Sequence, residues 1–497
     1  MSDAEVEGLG RRRGLPRVPA WLWVGAGVML LLLLRGNALL NDPDMFWQIR
    51  MGQWIAEHGA LPHADMYSFT KAGAPWISSS WLAQVIFAKA YAAGGWSGLV
   101  VVTSLAIAAT FALLVHALGR HLSPAHAAVV AVVALALAAQ HMLARPHVLA
   151  LPVMVMWIAA LIAASERRTA PSFLLLPLMV VWANLHGGFI LGLALIAPIM
   201  FDALWNADAL QRPRLAIRWL VFGLAALLAA CVTPYGWGSL LAAKSIVDLG
   251  PLLPLISEWA PPNFARFSVL EGVILLSIGL ALWRGVTLPL PRIVLALGFL
   301  HMALGHVRNI EVFALLTPLV LAAPLARQFH GGVDRKTGVV SGNGGALLLA
   351  IALATAMSWG AASALSFRPN DKTMPVAAVA ALKQQHAARV FNDYDFGGYL
   401  IWAGVAPFVD GRTELYGRQF GGEVFAAQSL RRPDLLLSLF DRYRIDATLL
   451  VPGSPVALLM DHLDGWRRVH ADDIAVVHVR TSAASDASRI VKPDKTP

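Results

Sequence analysis

Asp42 and Asp44 stand on either side of Pro43 near the start of the chain, directly after a long apolar run. Trp47 and Arg50 follow a few residues later in the sequence. A carboxylate in such a position has the chemistry to act as a general base, to orient an acceptor or to bind a divalent cation. Helix capping by one of the aspartates is the structural alternative, because proline suits a first helical turn.

Polar side chains recur at the ends of other apolar runs, where a charge needs a partner or water. Arg145 and Arg308 are cations in such positions, and either one suits an anionic headgroup or a lipid phosphate. An arginine that merely extends to the water interface is the alternative. Further candidates for ligand contact in these positions are His147, Asn184, His186, Tyr235 and Glu258.

The C-terminal part of the chain contains another group of Asp, Gly and Tyr residues. Asp395 and Tyr399 belong to the run Asp-Phe-Gly-Gly-Tyr, and Asp410 and Arg412 belong to Val-Asp-Gly-Arg. Carboxylates accept hydrogen bonds from sugar hydroxyls and aromatic rings stack on sugar faces, so this group suits contact with a sugar or a peptide. Turns explain the same residues, since Asp-Gly and Gly-Gly are common loop dipeptides.

The elements that position these residues belong to an unusually apolar chain. Of its 497 residues, 57% are hydrophobic and 14% are charged, and the mean hydropathy is +0.62. Soluble proteins carry about 25% charged residues, so the composition excludes an ordinary soluble enzyme and a disordered chain. The single cysteine, Cys231, excludes an intrachain disulfide. The net charge of +9 indicates basic cytoplasmic loops, and no nucleic-acid partner is expected.

Apolar runs long enough to cross a membrane predict about eleven spans. They lie near residues 21–34, 97–118, 125–142, 148–164, 173–187, 188–205, 216–233, 268–283, 293–306, 310–326 and 345–366. The basic residues Arg11 to Arg17 place the N-terminus in the cytoplasm, and the later loops on that side, up to Lys336, are net positive. This topology requires that the stretch 77–96 lies on the outer surface. We expect the inner ends to carry only positive charge.

The chain is therefore predicted to have two parts. Residues 1–366 form an all-α polytopic membrane domain, in which residues 41–96 are a long first periplasmic loop with interfacial helices. Residues 367–497 form a small soluble α/β domain in the periplasm. Local patterns in this second part predict helices at 434–443 and 456–463 and strands at 389–391, 406–409, 447–451 and 474–479.

This arrangement resembles the GT-C superfamily of membrane glycosyltransferases, which use polyprenyl-phosphate-linked sugars. The run 44–50 is similar to the Asp-x-Trp-Tyr-His-x-Arg element of oligosaccharyltransferase catalytic subunits, with Gln48 in place of the histidine. The run 395–399 is loosely similar to their Trp-Trp-Asp-Tyr-Gly-Tyr element, although the tryptophan pair is absent. Bacterial GT-C-like membrane proteins contain elements similar to Asn184–Gly187 and Val409–Arg412.

The resemblance implies a bacterial inner-membrane enzyme that transfers a sugar from a polyprenyl-phosphate donor to an acceptor at the periplasmic face. Asp44 would be the catalytic or acceptor-orienting acid with Asp42 beside it, and Arg308 and Arg145 would bind the donor phosphate. The implied partners are membrane lipid, the lipid-linked sugar, and a glycan, lipid or protein acceptor. A divalent metal lacks a clear ligand set, because Arg145 and His147 stand where family members often have a further acid.

Two other functions fit the same scaffold. A lipid or polysaccharide transporter would line a path through the membrane with polar groups, and Asp44 would be dispensable. A non-catalytic assembly protein would use its periplasmic domain to bind cell-envelope partners. The one-sided distribution of polar candidates and the lack of an internal repeat favour the glycosyltransferase over the transporter.

Overall fold

The computed structural model describes residues 18–250, 253, 257–329 and 343–481. These residues contain twenty α-helices and four β-strands. The basic residues Arg11 to Arg17 and the inner loop around Lys336 lie outside the described residues, so their cytoplasmic location stays a prediction.

The helices of the first part are rich in Leu, Ala and Val, and several have a proline as their first or second residue, where its missing N–H is not needed. In chain order they are α1 (Ala20–Leu34), α2 (Gly36–Leu39), α3 (Asp44–His58), α4 (Trp81–Leu118), α5 (Pro124–Ala138), α6 (Pro146–Glu166), α7 (Leu176–Leu185), α8 (Phe189–Ala194), α9 (Ile196–Trp205), α10 (Arg212–Ala230), α11 (Gly238–Val247), α12 (Val269–Arg284), α13 (Leu290–Gly305), α14 (Ile310–Phe329) and α15 (Asn343–Ala364).

Within the described residues, six helices are long and apolar enough to cross a membrane by length and composition. They are Trp81–Leu118, Pro124–His141, Pro146–Glu166, Arg212–Ala230, Val307–Phe329 and Gly345–Ala364. Shorter apolar helices of 10–17 residues lie at Ala20–Leu34, Phe173–Leu185, Phe189–Trp205 and Leu290–Gly305. A 16-residue helix is about 24 Å long, and the hydrocarbon core is about 30 Å thick. The expected count of eleven spans is therefore not confirmed.

Helix α4 is broken at Gly94 and Gly95. The backbone of both residues is non-helical, and the φ angle of Gly95 is 57°, in the left-handed region that favours glycine. The break separates the stretch predicted to lie on the outer surface from the apolar run predicted to span from residue 97.

The C-terminal region contains a four-stranded mixed sheet with the order β1-β2-β4-β3. Strand β1 pairs in parallel with β2, and β4 runs antiparallel to both β2 and β3. The strands are β1 (Val390–Asn392), β2 (Ala447–Leu450), β3 (Trp466–Ala471) and β4 (Val476–Arg480). The helices of this region are α16 (Val376–Gln384), α17 (Gly397–Trp402), α18 (Thr413–Gln428), α19 (Pro433–Arg442) and α20 (Pro455–Met460).

Most of the elements predicted for this region are confirmed, namely β1, β2, β4, α19 and α20. The strand predicted at 406–409 is wrong. That segment makes only an isolated bridge between Pro407 and Val390, and a proline has no N–H to donate to a ladder. Strand β3 was not predicted, because its residues are mostly polar and lie partly exposed at the sheet edge.

The first loop and the C-terminal region pack against each other. Thr70 Oγ1 donates to the carbonyl oxygen of Phe408 at 2.7 Å, and Phe69 N donates to that of Pro407 at 3.3 Å. The ring of Phe46 in α3 lies edge-on to a tyrosine of α17, with ring centroids 5.3 Å apart. These contacts fix the C-terminal region over the start of α3.

The helix ends opposite to Arg145 contain a buried charge cluster. Arg292 is 4% exposed, and its Nη2 atom lies 2.7 Å from Asp202 Oδ2. Ser165 Oγ donates to the same carboxylate at 2.5 Å, and Glu166 lies 3.8 Å from Arg292. Helix α6 separates this cluster from Arg145 by about 30 Å. The expectation that these ends carry only positive charge is wrong, because a buried arginine requires a countercharge.

Candidate active site

Asp42 and Asp44 lie at the start of α3 and have different surroundings. Asp42 has no exposed surface, and its Oδ1 atom accepts the backbone N–H of Asp44 at 2.9 Å. This contact is the helix-capping role that the sequence left open. The side chain of Asp44 is 23% exposed, and its Oδ1 atom accepts Trp47 Nε1–H at 3.1 Å. Asp44 is thus the aspartate that a ligand can reach.

Arg145 joins the two aspartates to the segment before α12. Its guanidinium bonds to Asp42 through Nε and to Glu258 through Nη1, and Nη2 lies 3.5 Å from Asp44 Oδ2. Burial alone would lower the pKa of Arg145, but the three carboxylates outweigh burial and raise it. One guanidinium therefore holds together three segments that are distant in sequence.

Arg308 lies on the other side of Glu258. Its Nη1 atom is 3.4 Å from Glu258 Oε1, and its guanidinium lies 4.2 Å from the ring centroid of Trp259. Burial would raise the pKa of Glu258, but Arg145 and Arg308 hold it below its usual range. Because Arg308 is 28% exposed and has this looser carboxylate contact, it keeps capacity for an anionic ligand.

The ionisation of Asp44 is shifted towards neutral pH. Burial raises the pKa of Asp44 to about 7; the charges of Asp42 and Glu258 add to this effect, and that of Arg145 opposes it. A carboxyl group with such a pKa exchanges protons readily at neutral pH, which is typical of a general acid or base.

Glycines of the C-terminal region form one wall beside Asp44. A Cβ atom on Gly411 would overlap the Asp44 carboxylate, and one on Gly398 would overlap the carbonyl oxygen of Pro43. Neither glycine has a positive φ angle. Close approach to α3, and not backbone conformation, therefore requires glycine at both positions.

Tyr394 and Asp395 come from the same region. Tyr394 Oη shares a hydrogen bond of 2.7 Å with Thr413 Oγ1. Burial, and then the charge of Asp44, raises the pKa of Tyr394 well above its usual range, so Tyr394 is a neutral hydroxyl near that aspartate. Burial, and then Asp42, raises the pKa of Asp395. Sequence reasoning missed Tyr394, whose only signal was its position next to Asp395.

A second polar group, which includes both predicted histidines, lies near Arg308. His147 Nε2 is 3.6 Å from Glu311 Oε2, and the rings of His147 and His186 have centroids 6.0 Å apart. Arg308 is close enough to Glu311 for its positive charge to interact with the Glu311 side chain. Glu311 was not among the predicted site residues, although a carboxylate in an apolar run close to Arg308 was a usable signal.

Three other predicted contact residues have structural partners away from the two aspartates. Asn184 Oδ1 accepts Trp81 Nε1–H at 2.8 Å, and its amide donates to two backbone carbonyls. Tyr235 Oη donates to the carbonyl oxygen of Pro62 at 2.9 Å. Arg50 is exposed on another face of α3. The structure does not bring these three residues into the carboxylate–arginine cluster.

Asp410 and Arg412 are fully buried, which leaves no surface for a substrate. Arg412 donates to Asp410 through Nε at 2.8 Å and Nη2 at 2.7 Å, and to Asp65 through Nη1 at 2.6 Å. Tyr416 Oη donates to Asp410 at 2.7 Å. This cluster connects the C-terminal region to the first loop. Tyr399 has a related role through its contact with α3.

A divalent metal does not fit the carboxylates near Asp44. Among the described residues, no group of three or more His, Cys, Asp or Glu side chains could hold a metal ion. Asp42, Asp44 and Glu258 all converge on Arg145 and pair with its guanidinium. An arginine thus supplies the positive charge among these acids.

The structure is similar to solved membrane glycosyltransferases. The archaeal oligosaccharyltransferase AglB from Archaeoglobus fulgidus, in complex with an inhibitory peptide and a dolichol-phosphate, matches with a TM-score of 0.50 and 12% identity, over 86% of this chain and 69% of that chain. ArnT from Cupriavidus metallidurans in the apo state matches with a TM-score of 0.47 and 14% identity, over 93% of this chain and 98% of that chain. No family model matches the sequence, and no curated protein matches it.

The likeness to the oligosaccharyltransferase shows that this chain has the GT-C fold. The resemblance to the GT-C superfamily is thereby confirmed at the level of the fold, whereas the expected count of eleven spans is not.

Proposed function

We propose that this chain is a GT-C glycosyltransferase that moves a sugar from a polyprenyl-phosphate donor to an acceptor at the periplasmic face of a bacterial inner membrane. The observation that carries the proposal is that one cluster contains both a partly exposed acid with a pKa near 7, Asp44, and a partly exposed cation, Arg308. The fold supports it, since the archaeal oligosaccharyltransferase was solved with a dolichol-phosphate, which is a polyprenyl phosphate.

Asp44 acts on the acceptor. Its carboxylate takes the proton of an acceptor hydroxyl while the hydroxyl oxygen forms a bond to the anomeric carbon of the donor sugar. Trp47 fixes Oδ1 of Asp44 by a hydrogen bond, and Oδ2 has only the long contact to Arg145. We therefore assign the proton-accepting role to Oδ2.

Arg308 acts on the leaving group. The bond from the anomeric carbon to the phosphate oxygen breaks, and the lipid phosphate leaves with the bonding electrons. A fixed cation stabilises the charge that this phosphate gains in the transition state. Arg145 already pairs with three carboxylates, so we assign it to positioning the acids, and Arg308 alone to the phosphate.

The C-terminal region completes the acceptor side of the site. Its glycines pack on the start of α3, and Tyr394 and Asp395 lie near the aspartates. We retain the division into a membrane domain at 1–366 and a periplasmic domain at 367–497. The first loop packs on the second domain, so we treat the site as shared between the two.

Purified protein incubated with synthetic polyprenyl-phosphate sugars tests the donor half of this proposal. Arg308→Gln should lower the rate of lipid-phosphate release by about 100-fold, as expected when one charge-stabilising donor is lost. Arg284→Gln, at an exposed arginine of α12, is the matched control and should leave the rate unchanged. Equal rates for the two variants would show that Arg308 does not bind the phosphate.

A further inference from the structure

Glu311 is buried at the second residue of α14 with one oxygen unsatisfied. Its side chain is 10% exposed, and Oε2 has no hydrogen-bond partner among the described residues. His147 Nε2, at 3.6 Å, is too distant for a hydrogen bond. An unpaired buried carboxylate is costly, so its presence beside a ligand-binding cluster indicates that a ligand supplies the missing partner.

His147 and His186 lie beside Glu311, and their backbone contacts define which ring nitrogen carries the proton in the neutral form. His186 Nδ1 accepts the N–H of Gly188 at 3.0 Å, so Nε2 is the donor. His147 Nε2 donates to the carbonyl oxygen of His141 at 3.1 Å, so Nδ1 is the acceptor. Together with the carboxylate, these rings offer both donors and acceptors.

This mixture suits hydroxyl groups, because a hydroxyl both donates and accepts hydrogen bonds. A second phosphate does not fit, because its oxygens only accept hydrogen bonds. The negative charge of Glu258, which acts on Glu311, would also repel it. A phosphate bound at Arg308 would place the sugar attached to it next to this group.

We propose that Glu311, His147 and His186 form a subsite that recognises the hydroxyl groups of the sugar to be transferred, an inference that rests on the proposed function. In this subsite Glu311 Oε2 accepts a sugar hydroxyl, and His186 Nε2–H donates to a neighbouring one. The subsite is separate from Asp44 and determines which donors bind.

The test compares the binding of bare polyprenyl phosphate with that of polyprenyl phosphates carrying a pentose, a hexose or an N-acetylhexosamine. Wild-type protein should bind at least one sugar-bearing lipid more tightly than the bare lipid. In Glu311→Gln this preference should fall by about 10-fold, because the amide replaces one of the two side-chain oxygens with a nitrogen that cannot accept a hydrogen bond. Affinity for the bare lipid should stay unchanged.

Two further variants sharpen the comparison. His186→Asn keeps an oxygen that can accept the Gly188 N–H but removes the Nε2–H donor, so this variant should lose the same preference. Glu57→Gln, at an exposed position of α3, should retain it.

A preference that survives in both subsite variants would overturn the subsite while the proposed function stands. An equal loss of affinity for the bare lipid would assign Glu311 to stability and would overturn it too. Wild-type protein that binds neither lipid would overturn both proposals.

Discussion

Asp44 must be ionised to accept a proton, and burial is the main reason that its pKa is about 7. Activity should therefore rise with pH through this value and level off above it. Asp42→Asn removes a neighbouring charge that raises the pKa of Asp44, so the rising limb should move to lower pH. Rates of lipid-phosphate release from about pH 5 to 9 measure both effects. A limb that stays in place in Asp42→Asn would contradict this electrostatic account.

Gly411 tests whether the C-terminal region positions Asp44. In Gly411→Ala the new methyl group would displace the carboxylate, and a displacement of about 1 Å can cost about 100-fold in rate. We expect kcat to fall by about that factor while the KM for the donor lipid changes little. Gly305→Ala is the control, because a Cβ atom there meets open space. Equal kcat values in the two variants would show that Gly411 does not position Asp44.

Single site residues could be selected from the sequence, but their pairing could not. Charged residues at the ends of apolar runs are conspicuous, which is how Asp44, Arg145, Glu258 and Arg308 were selected. Arg145 and Glu258 are 113 positions apart, and no local pattern relates them. Asn184 was selected by the same signal, yet its partners are largely backbone carbonyls.

At the scale of elements, the buried pair Asp65–Arg412 connects the first loop to the start of α18. Neither side chain has any exposed surface, and Arg412 Nη1 lies 2.6 Å from Asp65 Oδ1. Asp65→Asn should lower the free energy of unfolding by about 3 kcal/mol, because it leaves a buried cation less well paired. Thermal unfolding in detergent and limited proteolysis of the first loop measure this loss.

The matched control for this pair is Asp434→Asn. Asp434 pairs with Arg432 on the surface, where the two side chains are 65% and 63% exposed. A surface pair contributes little to stability, so this variant should unfold like the wild type. If Asp65→Asn also unfolds like the wild type, the connection between loop and C-terminal region does not depend on the buried pair.

Elements with strong local signals could be predicted, and elements set by tertiary contacts could not. The short run of β-branched residues in β4 and the apolar periodicity of α19 identify them from sequence alone. Strand β3 lies at the sheet edge and carries polar residues, so its pairing with β4 and not its composition makes it a strand. The short helices were predicted as full spans because hydropathy reports composition and not helix length.

At the scale of the whole molecule, the topology follows from charge asymmetry and stays a prediction. Single cysteines at the exposed positions Glu57 and Arg120, introduced into a Cys231→Ser background, test it. A membrane-impermeant thiol reagent applied to intact cells should label Glu57→Cys and not Arg120→Cys, because basic loops remain in the cytoplasm. Labelling of Arg120→Cys alone would reverse the topology.

The order of long first loop, apolar helices and C-terminal domain could be predicted from hydropathy, and the motifs at 44–50 and 395–399 supplied the resemblance to the GT-C superfamily. The packing of the C-terminal region on the first loop could not be predicted. It depends on Thr70, Trp76 and Asp65, whose partners Phe408, Glu414 and Arg412 are more than 330 residues away. Such contacts form only when both parts are folded.

The most direct measurement of the central claim is single-turnover release of polyprenyl phosphate from a sugar-bearing polyprenyl phosphate, by wild type and by Asp44→Asn at a pH above 7. Wild-type protein should release the lipid phosphate, and the variant should not. The variant should be at least as stable, because the raised folded-state pKa of Asp44 means that stability is lost as the pH rises from 3.8 to about 7. Full release by a folded Asp44→Asn protein, or none by the wild type with any donor, would contradict the account.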